Sequence, residues 1–215
     1  GGGGGPVCVA PIPLAGRCLA LPPTCDQNGD PPGCVPACEY HPVADVIQQR
    51  RSIRHFAAEP VDRKLVRELI ALACLAPAPH HSRPWRWANV VSKPARERLA
   101  DAMGGSWLED LAAEKRSVRE IDRLIQRSRG QITDAPVLIV ACLELDETRE
   151  QPDERRQLAE RDMFVQSLGA ALQNLLLAAV ERGLAGYLKG APLFCGPAIT
   201  EALDLPTGWA PAFLV

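Results

Sequence analysis

The sequence predicts an α+β domain: a central mixed sheet flanked by helices, with one long helix buried at its centre. Three observations carry this. The run Ala135-Pro136-Val137-Leu138-Ile139-Val140-Ala141-Cys142 is a continuous apolar stretch of strand length, as expected of a strand covered on both faces. The segment from Asp153 to Arg182 has helical character and carries no charge between Met163 and Val180, so it is buried on most sides. Helical and extended segments also alternate irregularly along the chain, which favours α+β over a doubly wound fold.

In chain order, residues 1–42 stand apart. Residues 1–40 hold eight of the 20 prolines and eight of the 17 glycines, with no sustained periodicity. Such a segment cannot bury enough apolar surface to offset its ordering entropy, so a disordered tail is expected. Cys25, Cys34, Cys38 and His41 fall here, but their spacing matches no standard zinc arrangement, and no metal site is expected. The remainder, residues 43–215, reads as one domain.

Val43 to Arg50 reads as a short helix with Val43, Val46 and Ile47 on one face. Asp62 caps a helix from Arg63 to Leu75, whose apolar positions Leu65, Val66, Leu69, Ile70 and Leu72 keep the helical period. Pro77 and Pro79 stop it. Trp85 to Ser92 reads as a strand, Pro94 to Met103 as a short helix, and Ser106 to Gln131 as a charged helix with a solvated face. Residues 144–153 form an acidic loop. The long helix follows, with Ser167, Ala170, Ala171 and Asn174 as a small-residue face. That face suits close helix packing, either inside the monomer or in a homodimer. Gly183 ends the helix. Leu184 to Lys189 reads as a strand, Gly190 to Pro197 as a turn-rich loop with free N–H groups, and Ala198 to Leu203 as a short helix. Pro211 to Val215 begins a strand that stops at the chain's own end, which predicts a domain truncated there.

Composition narrows function. A net charge of −2 and 5% aromatics favour neither general nucleic-acid binding nor a base-stacking platform. Gln166, Gln173 and Asn174 interrupt the apolar run of the long helix, so no membrane span is expected. With no leader pattern, the chain reads as cytoplasmic with reduced thiols. The scattered Cys74, Cys142 and Cys195 read as small buried hydrophobes. There is no glycine-rich dinucleotide loop after a strand and no Gly-x-Ser-x-Gly elbow.

Two stretches carry candidate chemistry. Arg50, Arg51, Ser52, Arg54 and His55 crowd six positions near helix ends, a donor set suited to phosphate. Pro79, His80, His81, Ser82 and Arg83 lie in a proline-braced loop suited to lining a ligand.

Arg50-Arg51-Ser52-Ile53-Arg54-His55-Phe56 with Glu59-Pro60-Val61, the loop Pro77 to Trp85, and Gly169-Ala170-Ala171 through Asn174 to Gly183-Leu184 together resemble the FMN-dependent nitroreductase superfamily. Within it, Ala76 to Pro84, Trp107 to Gly130 and Ala191 to Cys195 are most similar to the C-terminal nitroreductase-type domain of coenzyme F(420) biosynthesis proteins. The resemblance implies FMN as cofactor, a homodimer with flavin at its interface, and a small-molecule substrate. By that resemblance Arg50, Arg51, Ser52 and Arg54 hold the FMN phosphate, ribityl chain or polar edge. Pro79, His80 and His81 cover the flavin, and Lys189, Gly190 and Ala191 approach its N5. His81 stands where many relatives have asparagine. The implied activity is reduction of a dehydro precursor of the deazaflavin coenzyme. The alternatives are a general NAD(P)H-dependent nitro or quinone reductase and an inactive flavin-binding remnant. No side chain is singled out as an essential acid or base; His80 and His81 are candidate proton donors.

Overall fold

The structure, a computed structural model, describes residues 43–114, 116–146 and 150–215. The expected tail, with its early cysteines, lies outside the described residues. The elements run α1 (Val43–Gln49), α2 (Arg63–Ala73), a 3₁₀ turn (Pro79–His81), β1 (Trp85–Asn89), α3 (Lys93–Ala113), α4 (Val118–Thr133), β2 (Ile139–Glu144), α5 (Glu154–Glu181), α6 (Pro192–Leu203) and β3 (Trp209–Leu214).

β2 organises the sheet. Its order is β1-β2-β3, and both pairings are antiparallel. Parallel pairing enters through one isolated bridge, Ser52 to Gly186, and Lys189 bridges Leu214 at the far edge. Alternate β2 residues serve two cores. Ile139, Ala141 and Leu143 face α2 and α5, together with Trp85, Phe164, Leu168 and Leu172. Val140 and Cys142 face the other layer, with Leu99, Met103 and Ile199. This double burial explains why the strand reads as one apolar run rather than an alternation. In that layer, burial pushes the Cys142 thiol up to about 12.

α5 is the core helix. Asp153 caps it, accepting from the Arg156 N–H at 2.9 Å. By length and composition it would also pass for a bilayer-crossing helix. In this fold Phe164, Leu168, Ala171, Leu172 and Leu175 are buried against α2 and the sheet. Each of the larger ones is worth roughly 1.5–3 kcal/mol of transfer free energy. Two members of its small-residue face are used inside the monomer. Ala171 is fully buried, and Ser167 Oγ donates to Pro77 O at 2.8 Å. The outer face, with Met163, Val165, Gln166, Gly169 and Gln173, remains exposed.

Several local expectations change. The helix expected to break near Gly104-Gly105 continues through them as α3. Gly104 serves a close approach instead: a Cβ there would meet Ile125 of α4 at 3.3 Å. α3 ends at Ala113, and Ser117 with Glu120 forms a capping box that starts α4. Leu184 to Lys189 is not a regular strand; its pairing is reduced to isolated bridges at Gly186 and Lys189. The expected loop Gly190 to Pro197 is largely helical. α6 begins at Pro192 and bends at Cys195 (φ −129°), just before Pro197, which cannot donate to the preceding turn. β1 ends at Asn89, short of the expected Ser92.

Leu172 is fully buried between α2 and β2. Leu172→Ala should lower unfolding free energy by about 2–5 kcal/mol in urea titration. A loss below about 1 kcal/mol would show that α5 is not the centre of the core.

Candidate active site

The basic stretch leaves the C-terminus of α1. Arg50 N–H closes the helix on Val46 O at 3.0 Å. Arg51 turns back, donating to Gln48 O and to Arg50 O (2.9 Å), so its guanidinium is partly spent on local backbone. Ser52 lies beside Gly186. The Ile53 N–H donates to Gly186 O at 3.4 Å. Arg54 places its guanidinium carbon 5.0 Å from the centroid of the Tyr187 ring, a cation–π geometry, and Phe56 stacks on the same ring at 6.5 Å between centroids.

Tyr187 leads into Lys189. Lys189 Nζ donates to Ser128 Oγ at 2.7 Å and to Gln131 Oε1 at 3.1 Å, and Tyr187 OH reaches the same Gln131 oxygen at 3.3 Å. Burial holds the Lys189 ammonium below the usual lysine range; Cys195 opposes this, while the charges of Arg127 and Arg54 reinforce it. Burial likewise raises Tyr187, against the pull of Arg54. Next along the chain, the N–H groups of Gly190 and Ala191 donate to no acceptor among the described residues, while Leu193 and Phe194 N–H close back on Gly190 O and Ala191 O. Cys195 is buried and donates to Ala191 O at 3.3 Å; it is not presented as a nucleophile.

The third predicted segment, Pro79–His81, is built differently. His80, His81 and Arg83 all have positive φ (54°, 58° and 52°), an unusual concentration for residues with side chains. Ser82 Oγ caps the turn by donating to Pro79 O at 2.8 Å. His80 Nε2 lies 3.1 Å from Oε1 of the buried Glu160 on α5.

The fold thus joins two of the three segments. Arg50–Arg54 and Lys189–Ala191 share the edge beyond β3. The proline–histidine loop lies at the opposite corner of the sheet, where Pro84 O receives the Glu144 N–H. Lys189 is level with Leu214 and, through it, with Val140. Four residues of β2 span about 13 Å, and the intervening strands add roughly 14 Å across the sheet. A cavity of about 540 Å³ lies under the strap 53–61, lined by Phe56, Leu65, Leu69, Leu175, Tyr187 and Val215 among others. None of the ten predicted binding residues lines it.

Sequence reading missed Tyr187, Ser128, Gln131 and Glu160. Glu160 had a signal: with Phe164, Ser167 and Ala171 it keeps the spacing of the buried stripe of α5. Ser128 and Gln131 share a helix face three residues apart, but the surrounding charges hid them as a solvated face.

Non-glycine residues with positive φ cost stability unless their side chains repay it. His81→Gly should therefore raise the urea midpoint, by up to about 1 kcal/mol in unfolding free energy. A loss of stability would show that the His81 side chain holds the loop together.

Comparison with known proteins agrees with this fold. Residues 47–215 match the Nitroreductase family. The 5,6-dimethylbenzimidazole synthase of Rhodospirillum rubrum is 31% identical over 169 residues, covering 77% of this chain and 75% of that protein. A nitroreductase-like family protein from Bacillus cereus superposes with a TM-score of 0.63 at 26% identity, covering 83% of this chain and 86% of the other. The FMN-dependent nitroreductase NfnB from Mycobacterium smegmatis, solved with NADPH, shares the fold at a TM-score of 0.61 and 19% identity, over 80% of this chain and 85% of its own. The chain belongs to the nitroreductase family and has its fold.

Proposed function

We propose that this nitroreductase-family chain is an FMN-dependent oxidoreductase that reduces a small molecule, working as a homodimer with the flavin held where two copies meet. One observation carries the reading. Arg50 and Arg54, whose cations form no ion pair among the described residues, lie with Ser52 on the same edge as the free N–H groups of Gly190 and Ala191. That donor set fits FMN: cations and a hydroxyl for its phosphate and polar chain, and backbone donors for the ring edge that gains charge on reduction. When bound, FMN supplies the storage and transfer of hydride equivalents.

The chain's own residues then have separate tasks. Arg50 and Ser52 anchor the phosphate, while Arg51, drawn onto Gln48 O and Arg50 O, shapes the turn. Arg54 is held over Tyr187 and faces the polar edge of the cofactor. Pro79, His80 and His81 act from the second copy, because within one copy they stand at the far corner of the sheet. His80, oriented by Glu160, is the candidate proton donor on that side. The exposed apolar residues Val43 and Ile47 of α1 and Met163 and Val165 of α5 supply surface for the second copy.

The substrate we assign is the dehydro precursor of the deazaflavin coenzyme F(420), supported by the resemblance of Ala76 to Pro84 and Ala191 to Cys195 to that biosynthetic domain. A second reading, 5,6-dimethylbenzimidazole synthesis, is favoured by the 31% identity to the Rhodospirillum rubrum enzyme. Incubating the FMN-loaded protein with NADPH and each substrate class separates them. Reduction of the dehydro precursor supports the first, and appearance of 5,6-dimethylbenzimidazole the second. Turnover of nitroaromatics alone would point to a general reductase. Protein that takes up no FMN would remove all three.

Arg50→Ala and Arg54→Ala should each weaken FMN binding about tenfold or more, since a hydrogen bond to a charged group is worth roughly 1.5–3 kcal/mol. Quenching of flavin fluorescence on titration reads this directly. Unchanged affinity in both variants would return the basic turn to the solvated surface.

A further inference from the structure

Resting on the flavin reading above, we propose that Lys189 and Arg127, with Arg54 at the border they share with the cofactor's polar edge, form an anion subsite that selects substrates carrying a carboxylate or phosphate, separate from the grip on the cofactor's own phosphate at Arg50 and Ser52.

The geometry supports this in three ways. First, Lys189 is fixed. Two of the three ammonium hydrogens are directed at Ser128 Oγ and Gln131 Oε1, which leaves one for a ligand. Gln131 is itself shared with Tyr187, and Tyr187 carries Arg54 on its ring, so one node ties α4, the 187–189 segment and the strap together. Second, the three charges are graded in depth. Lys189 is half-buried, whereas Arg54 and Arg127 are exposed. On this reading the two exposed guanidiniums form the rim and the half-buried ammonium the floor. Third, the charges are uncompensated. None of the three forms an ion pair among the described residues, and the charges of Arg127 and Arg54 are both felt at Lys189. The acidic group felt in this neighbourhood, Asp110, acts at Cys195. Like charges gathered around a half-buried ammonium oppose its protonated form, and a bound anion relieves that opposition. Arg127 and Ser128 are neighbours on α4, so the helix that tethers Lys189 also supplies the rim charge.

The probe pair is 4-nitrobenzoate and its uncharged analogue 4-nitrobenzamide, matched in ring and nitro group. Each is titrated by calorimetry into FMN-saturated protein at low ionic strength, where rim charges are least screened. The expected result is at least about tenfold tighter binding of the benzoate. Arg127→Ala should remove most of that preference, and Arg119→Ala, an exposed charge elsewhere on α4, should leave it intact. FMN and riboflavin affinities measured on Arg127→Ala should match those of the unaltered protein. Equal binding of the two probes, binding of neither, or a preference that survives Arg127→Ala overturns the proposal while leaving the flavin reading standing. Loss of FMN but not riboflavin affinity in Arg127→Ala also overturns it, by assigning these cations to the cofactor phosphate. Failure of the unaltered protein to bind FMN is the separate failure of the functional reading. Calorimetry still reads the probe preference in that case, with the same criteria.

Discussion

The double burial of β2 between two helical layers is the constraint on which the rest depends. Because Ile139, Ala141 and Leu143 serve one core and Val140 and Cys142 the other, the strand cannot slip by one residue without exchanging its faces. Its neighbours are thereby placed. β1 delivers the proline–histidine loop to one corner of the sheet, and β3 with Lys189 delivers the candidate cofactor edge to the diagonal corner. α5 reinforces the separation. Glu160, which meets His80, and Ala179, whose carbonyl receives the Leu184 N–H, lie nineteen residues apart on this helix, roughly 28 Å along its axis. Within one copy the two halves of the predicted site are thereby held apart.

On the candidate cofactor edge, charge rather than shape is the distinguishing feature. Arg54 is held by an aromatic ring and Lys189 by a glutamine and a serine, not by acids, and Arg50 forms no ion pair among the described residues. Cations positioned this way keep their capacity for an anion. On the loop side the conformation carries the cost: positive φ at His80, His81 and Arg83 is tolerated because Ser82, Glu160 and the bond from Ser167 to Pro77 O brace the turn.

Much of the fold was legible because its signals are periodic. The run from Val137 to Cys142, the stripe of α2 behind the Asp62 cap and the long uncharged stretch of α5 each point to the element observed. The misreadings share a cause. Gly104-Gly105 and Pro192 to Pro197 carry turn residues, but tertiary packing keeps them helical: Gly104 lets α4 approach, and Ile199 and Leu203 are fully buried against the sheet. In the candidate site, the arginines and histidines stand out by residue type. Tyr187, Gln131 and Ser128 do not, since their importance lies in meeting one another across 56 to 61 residues of chain. No local pattern encodes that meeting.

The central claim, a flavin site shared between two copies, is tested most directly by complementation. One variant carries Arg50→Ala with Arg54→Ala, and the other carries His80→Ala with His81→Ala. Each alone has a defect in every site. Unfolded together and refolded, they form mixed dimers in which one site carries both defects and the other neither. The account predicts that the mixture regains a population of sites with unaltered FMN affinity, absent from either variant alone. A titration equal to the average of the two separate variants would contradict it and place the whole site within a single chain.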